Sequence, residues 1–185
     1  MVQRHLHQRY DFLCLTDDAK GLDPGITTAK LDSMLQGWWH KLTLFRPDPY
    51  GIRGRILFID LDSVIVGNLD ELADYAPDEP LTICRDFMAG IYNSSVFRLD
   101  SGSLPFIWER FAENPAQVMQ TLHGDQEFIS IQTRAELFPP GWCVSYRLSA
   151  QDRVPPDARV VCFHGSPKPH ECGGWVKGKW RCGPL

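Results

Sequence analysis

The chain of 185 residues has no Cys-x-x-Cys pair, no basic run, no long apolar stretch, and no repeated or low-complexity segment. Each absence excludes something. A membrane-spanning helix needs about 18 consecutive apolar residues, and nothing here approaches that. The opening Met1-Val2-Gln3-Arg4-His5-Leu6-His7 lacks the apolar core of a secretory signal. Lys and Arg are scattered, the net charge is −4 and the isoelectric point is near 5.8. Neither nucleic acid nor an anionic membrane surface is therefore an expected partner. The six cysteines, at 14, 84, 143, 162, 172 and 182, follow no closed zinc spacing. His170, Cys172 and Cys182 are the nearest approach and do not match one. Without a secretory signal the cysteines read as reduced thiols and the chain as cytoplasmic. No lysine lies between Lys41 and Lys168.

What is present is an ordinary globular composition, 43% hydrophobic and 23% charged. The length suits one domain with a real core, so residues 1–185 are read as a single domain with an irregular tail at 170–185. Residues 1–9 resemble the end of a helix, and Tyr10 to Leu15 a short strand. Gly21 to Thr28 reads as a loop. Apolar residues at 38, 42 and 45 predict a helix that Pro47 and Pro49 end, with Trp38 and Trp39 as core packing. Strands are expected at 55–60, 63–66, 81–84, 93–99 (with one wet face) and 159–165. Short helices are expected from Asn68 or Asp70, from Ser101 or Ser103 to Glu113, from Pro115 to Leu122, and after Gly124.

The chemistry concentrates at Arg55-Ile56-Leu57-Phe58-Ile59-Asp60-Leu61-Asp62. The apolar run reads as a fully buried, parallel-type strand. Two acids at its end have no core to enter. In extended chain, residues i and i+2 share a face, so both carboxylates can point at one place. The carboxyl edge of a sheet is where α/β folds hold ligands, and a divalent metal carrying a diphosphate suits such a pair.

Two families open a site this way. Ile56 to Ile65 is similar to the first motif of haloacid-dehalogenase-type phosphatases. That family also needs a lysine and a later acid pair. Neither the lysine-free interval nor Gly124-Asp125-Gln126-Glu127-Phe128-Ile129 supplies them. The second resemblance covers more of the chain. Phe58 to Leu72 resembles F-L-D-A-D-T-L-V-L-x-N-I-D-E-L of family 8 glycosyltransferases, which include glycogenin and the lipopolysaccharide galactosyltransferases. Tyr92-Asn93-Ser94-Ser95-Val96 is similar to that family's F-N-S-G-V. Gly124-Asp125-Gln126 resembles its D-Q pair at a helix start, and Phe163 to Pro169 its H-F-x-G-x-x-K-P. Trp39 to Phe45 resembles the helix before its acid motif.

The resemblance implies an α/β, Rossmann-like GT-A fold with a mixed, mostly parallel sheet flanked by helices. The first βα unit has no counterpart before Tyr10. It implies transfer of a sugar from a nucleotide diphosphate, UDP above all, to a glycan, lipid or protein acceptor with retention. It implies Mn2+ or Mg2+ on Asp60 and Asp62, with Lys168 and Gly165 at the diphosphate. Asn93, Asp125 and Gln126 would face the sugar. Aligned on Gly165 and Lys168, the family's metal-binding histidine falls on Cys162. Residues 162 and 164 share a strand face, so His164 is the expected third ligand, with Cys162 as the alternative. A weak or inactive sugar- or nucleotide-binding remnant of such an enzyme is the other reading.

Overall fold

The computed structural model describes residues 1–88 and 90–180. Cys182 lies outside them. The chain divides into two compact units built from interleaved segments. The first comprises Met1–His7, Arg55–Asp100 and the chain from Thr133 onward; the second comprises Gln8–Gly54 and Ser101–Gln132.

The first unit opens with a single helical turn, α1 (Val2–His5), and holds two sheets. One has four strands in the order β3 (Arg55–Ile59), β6 (Tyr92–Asp100), β5 (Leu81–Arg85), β7 (Glu136–Leu137). The other has three, in the order β4 (Ser63–Ile65), β9 (Val160–Cys162), β8 (Cys143–Ser145). Both are mixed: β3–β6, β5–β6 and β4–β9 are antiparallel, and β5–β7 and β8–β9 are parallel.

The three-stranded sheet is covered on both faces, which explains its unbroken apolar runs. Side chains alternate across a strand. Ile65, Val160 and Cys162 therefore join one buried cluster with Leu69, Leu72, Cys84, Val96 and Phe138. Val64, Val161 and Phe163 join another with Ala150 and Val176. Helix α2 (Asp70–Asp74), entered by an Asn68 side chain that accepts the Asp70 N–H at 2.8 Å, brings Leu72 to the first cluster. Helix α6 (Gly174–Trp180) brings Val176 to the second, and the Trp175 indole N–H donates to the Ala150 carbonyl at 2.9 Å. The tail expected to be irregular is thus helical through Trp180, ordered by this burial rather than by its glycine-rich local sequence.

Several sequence expectations shift. Strand β3 is not a fully buried parallel strand. It is the edge of its sheet, antiparallel to β6 and only half-buried. Its apolar run reflects packing of Leu57 and Ile59 on the first cluster and a stack of Phe58 on Phe97, its partner in β6, at 4.8 Å. Strand β6 has no wet face: every residue except Ser95 and Asp100 is buried. Even Arg98 is fully enclosed, donating to the carbonyls of Ala76 and Glu79 and to Thr82 Oγ1.

The second unit carries a parallel pair, β1 (Leu13–Thr16) with β2 (Thr27–Lys30), where the sequence suggested one strand and a loop. A 3-10 helix follows over Gly37–Phe45. Helices α3 (Pro105–Glu113), α4 (Pro115–Thr121) and α5 (Asp125–Gln132) complete it. Helix α3 begins at Pro105 with Leu104 in the capping position, not at a serine. It buries Ile107 and Phe111, one turn apart. Phe111 stacks on Trp39 at 5.7 Å and meets Phe128 edge-on.

Candidate active site

Strand β3 ends in a tight turn. The Ser63 N–H donates to the Asp60 carbonyl at 3.0 Å, so Asp60-Leu61-Asp62-Ser63 reverses the chain between the two sheets. The acids are presented by this turn, not by the shared face of an extended strand. Leu61 is thrown to its tip, 84% exposed. An exposed leucine here costs little, because the turn positions its two neighbours.

The Asn93-Ser94-Ser95 motif explains what holds the turn. In the β5–β6 ladder Ile83 pairs with Phe97, but the next residue, Cys84, pairs with Asn93. Residues 94–96 therefore bulge out of that ladder. The Ser95 carbonyl, on the bulge, accepts the Asp60 N–H at 2.8 Å. Asn93 is buried, and its Oδ1 accepts the Ser95 N–H at 3.0 Å. Asn93 thus shapes the bulge that anchors the acid turn.

The other side of the site comes from the chain after β9. Lys168 Nζ donates to Asp62 Oδ2 at 2.6 Å and to the Phe163 carbonyl at 3.4 Å. Its backbone N–H donates to the Glu171 carboxylate at 2.6 Å, fixing the short helical turn Pro169–Glu171. Both partners in the ion pair are over a third exposed, so water screens it. Gly165 has φ +70°, a region that favours glycine. A Cβ there would come 3.3 Å from Arg147 Nη1.

The two candidates for a third metal ligand separate clearly. Cys162 is 1% exposed. Burial pushes its thiol well above the ordinary value, and the Cys143 thiol and the Asp60 and Asp62 charges add to the effect. A metal takes the thiolate, which this environment opposes. His164 is half-buried, stacks on Phe87, and its Nε2 lies 2.6 Å from Ser145 Oγ. Among the described residues no three His, Cys, Asp or Glu side chains are grouped to hold a metal ion. The acid pair fits a hard divalent cation. His164, in the arrangement observed, does not complete the set.

No known protein-family profile matches the chain, and no curated protein matches it in sequence. Among solved structures it is similar to the glycosyltransferase GlyE of Streptococcus pneumoniae TIGR4, with a TM-score of 0.63 at 15% identity. The alignment covers 84% of this chain and 46% of that one. The apo form of GlyE matches with a TM-score of 0.60 at 14% identity, covering 84% and 45%. The fold is that of a glycosyltransferase. The chain spans less than half the length of the GlyE chain.

In this glycosyltransferase fold, then, Asp62 and Lys168 meet directly, Asp60 lies two residues away in the same turn, and His164 and Gly165 occupy the segment between β9 and Lys168. Asn93 supports the turn from the bulge. Asp125 and Gln126 open α5 in the second unit. Asp125 is buried, and Glu127 reaches back to accept the His123 N–H at 2.8 Å, which tightens the helix entry. Arg147 was missed by sequence reasoning. It lies in a single turn of π-helix, Tyr146–Ala150, and only the packing of that turn on Phe163 brings it to Gly165. Its sequence context carries no motif that could have found it.

Proposed function

We propose that the chain is a metal-dependent glycosyltransferase of the family 8 type. It transfers a sugar from a nucleotide-diphosphate donor, UDP-sugar in the first instance, to a glycan, lipid or protein acceptor with retention of configuration. One observation carries the proposal: Lys168 Nζ on Asp62 Oδ2 joins the acid motif to the Gly165–Lys168 motif across 106 positions of sequence. An acid turn tied to a lysine, on a glycosyltransferase fold, supplies the groups that a departing diphosphate requires.

When the bond from the anomeric carbon to the phosphate oxygen breaks, negative charge grows on the diphosphate. Lys168 is placed to exchange Asp62 for that phosphate, which stabilises the developing charge. Gly165, with no side chain, lets backbone approach the same phosphates, and Arg147 adds a second cation beside it. Asp60 and Asp62 would hold Mn2+ or Mg2+, with His164 joining them if it releases Ser145. A bound divalent cation would neutralise the diphosphate. Asn93 is assigned to the donor sugar, in addition to its role in the bulge. Asp125 and Gln126 are assigned to the anomeric centre and to orientation of the acceptor hydroxyl.

The test is thermal unfolding with UDP, with and without Mn2+, on the wild type and on Asp60→Asn/Asp62→Asn. At about a hundredfold excess over Kd, UDP with Mn2+ should raise Tm by roughly 5 °C in the wild type. The double variant should show no shift. Absence of any shift with UDP, with or without Mn2+, removes the proposal. UDP release from a panel of UDP-sugars separates a working transferase from a binding remnant.

A further inference from the structure

Trp38 does not pack in the core. A 3-10 helix has three residues per turn, so adjacent side chains point about 120° apart and only one of two neighbouring tryptophans can face inward. Trp39 takes that place, 6% exposed and stacked on Phe111. Trp38 is turned outward and is 55% exposed. With Met34, 82% exposed and lining the same surface, it forms an exposed apolar patch rather than an isolated side chain.

It lies beside Gly124. A Cβ at that position would lie 3.1 Å from Trp38 Nε1, 3.3 Å from Cδ1 and 3.7 Å from Cε2. The Nε1 edge of the indole thus occupies the space next to the glycine. A larger residue would make the ring give way by a few tenths of an ångström. The backbone of Gly124 does not need glycine for a positive φ, since its φ lies outside that region. The close approach of the indole is therefore the physical demand for glycine here. On its open side Trp38 lines an open groove of about 500 Å3 together with Met34, Gln36, Gly37, Trp39 and Met119. That volume is within the range of small-molecule sites. Among the described residues no charged side chain lines it, and Gln36 is the one with a side-chain amide.

We propose that this groove binds a neutral pyranose ring stacked on Trp38. A pyranose has an apolar C–H face and a rim of hydroxyls. An open indole with an amide beside it offers the matching surfaces. The absence of charge among the described lining residues suits an uncharged ring and not a phosphorylated one. This sugar-binding role does not depend on the transferase reading.

The experiment is saturation-transfer NMR on the full chain with methyl glycosides of glucose, galactose, mannose and N-acetylglucosamine, and with uridine as comparator. At least one glycoside should receive saturation through the ring protons of a single face. Its affinity should fall about tenfold in Trp38→Ala and much less in Trp38→Phe, which keeps a stacking surface. Gly124→Val, which displaces the indole without removing it, should weaken the same glycoside. It also keeps the question decidable if Trp38→Ala does not fold. The proposal is overturned if no glycoside receives saturation, or if the signal is unchanged in both Trp38→Ala and Gly124→Val. Uridine as the one ligand that depends on Trp38 would overturn it as well. UDP with Mn2+ is titrated separately on the wild type. Failure of that arm with Trp38-dependent glycoside binding intact removes the transferase reading and keeps the sugar site; the reverse keeps the transferase and removes the sugar site.

Discussion

Asp62 and Lys168 sit 2.6 Å apart, with side chains 36% and 38% exposed. At that exposure the pair contributes at most about 1 kcal/mol to stability. A weak pair suits a site in which both members have another use, because an incoming phosphate can take the lysine at little cost. Lys168→Met should therefore leave Tm nearly unchanged, within the same ~1 kcal/mol, while weakening UDP about tenfold or more. Calorimetric titration beside thermal melts checks both halves. Equal loss of stability and binding would make Lys168 structural. The cysteines are decided by burial. Cys84 is pushed well up by burial and by Cys143, and Cys162 by burial first and then by its neighbours. Neither should react with iodoacetamide in the folded protein at pH 7, and mass spectrometry of labelled peptides reads this directly. Rapid native labelling of Cys162 would reopen it as a metal ligand and displace His164.

At the level of elements, the acid turn and the β6 bulge form one device. Asn93 Oδ1 holds the Ser95 N–H, and the Ser95 carbonyl holds the Asp60 N–H. Asn93→Ala removes a buried acceptor and leaves the part-buried Ser95 N–H without its partner, which costs about 1 kcal/mol. It should also weaken UDP with Mn2+, because the turn loses its anchor. Asn93→Asp keeps the acceptor and should recover most of the stability. Thermal melts with and without ligand separate the two effects. The acid turn and the Lys168 loop were legible in the sequence because residue types at fixed local spacing carry their chemistry. The bulge was visible as a motif but not as a shape, since it arises from a pairing shift between β5 and β6 that no local pattern encodes. For the same reason β3 read as a buried parallel strand: its apolar run is real, but the sequence does not say which neighbours exist. Arg147 and the outward turn of Trp38 were hidden because both depend on packing, one on a π-turn stacked against Phe163 and the other on a 3-10 geometry.

For the whole molecule, the interleaving of segments sets how the chain must fold. The three-stranded sheet takes β4 from the middle of the chain and β8 and β9 from its last third. A fragment 1–132 would keep the second unit's segments but strand Val64 and Ile65 without the β9 partner that buries them. The first unit of that fragment should show no cooperative melt, whereas the full chain should. The second unit has its own acid-sensitive tie. Asp32 accepts the Met34 N–H at 3.0 Å and pairs with Arg46 at 2.6 Å, while Arg46 lies over the Trp108 ring at 4.2 Å. The backbone N–H first, and then the guanidinium, hold the Asp32 carboxyl below its ordinary value of 3.8. A carboxylate depressed on folding stabilises the folded state above its unfolded pKa, and that contribution is lost as pH falls through the folded pKa. Stability should thus decline more steeply below about pH 4 in the wild type than in Asp32→Asn, which has no proton to take up there. Above pH 5 Asp32→Asn should be the less stable protein, so the two Tm curves converge on acidification. Parallel curves across that window would show that the tie does not contribute to acid sensitivity and that the decline arises from other carboxylates.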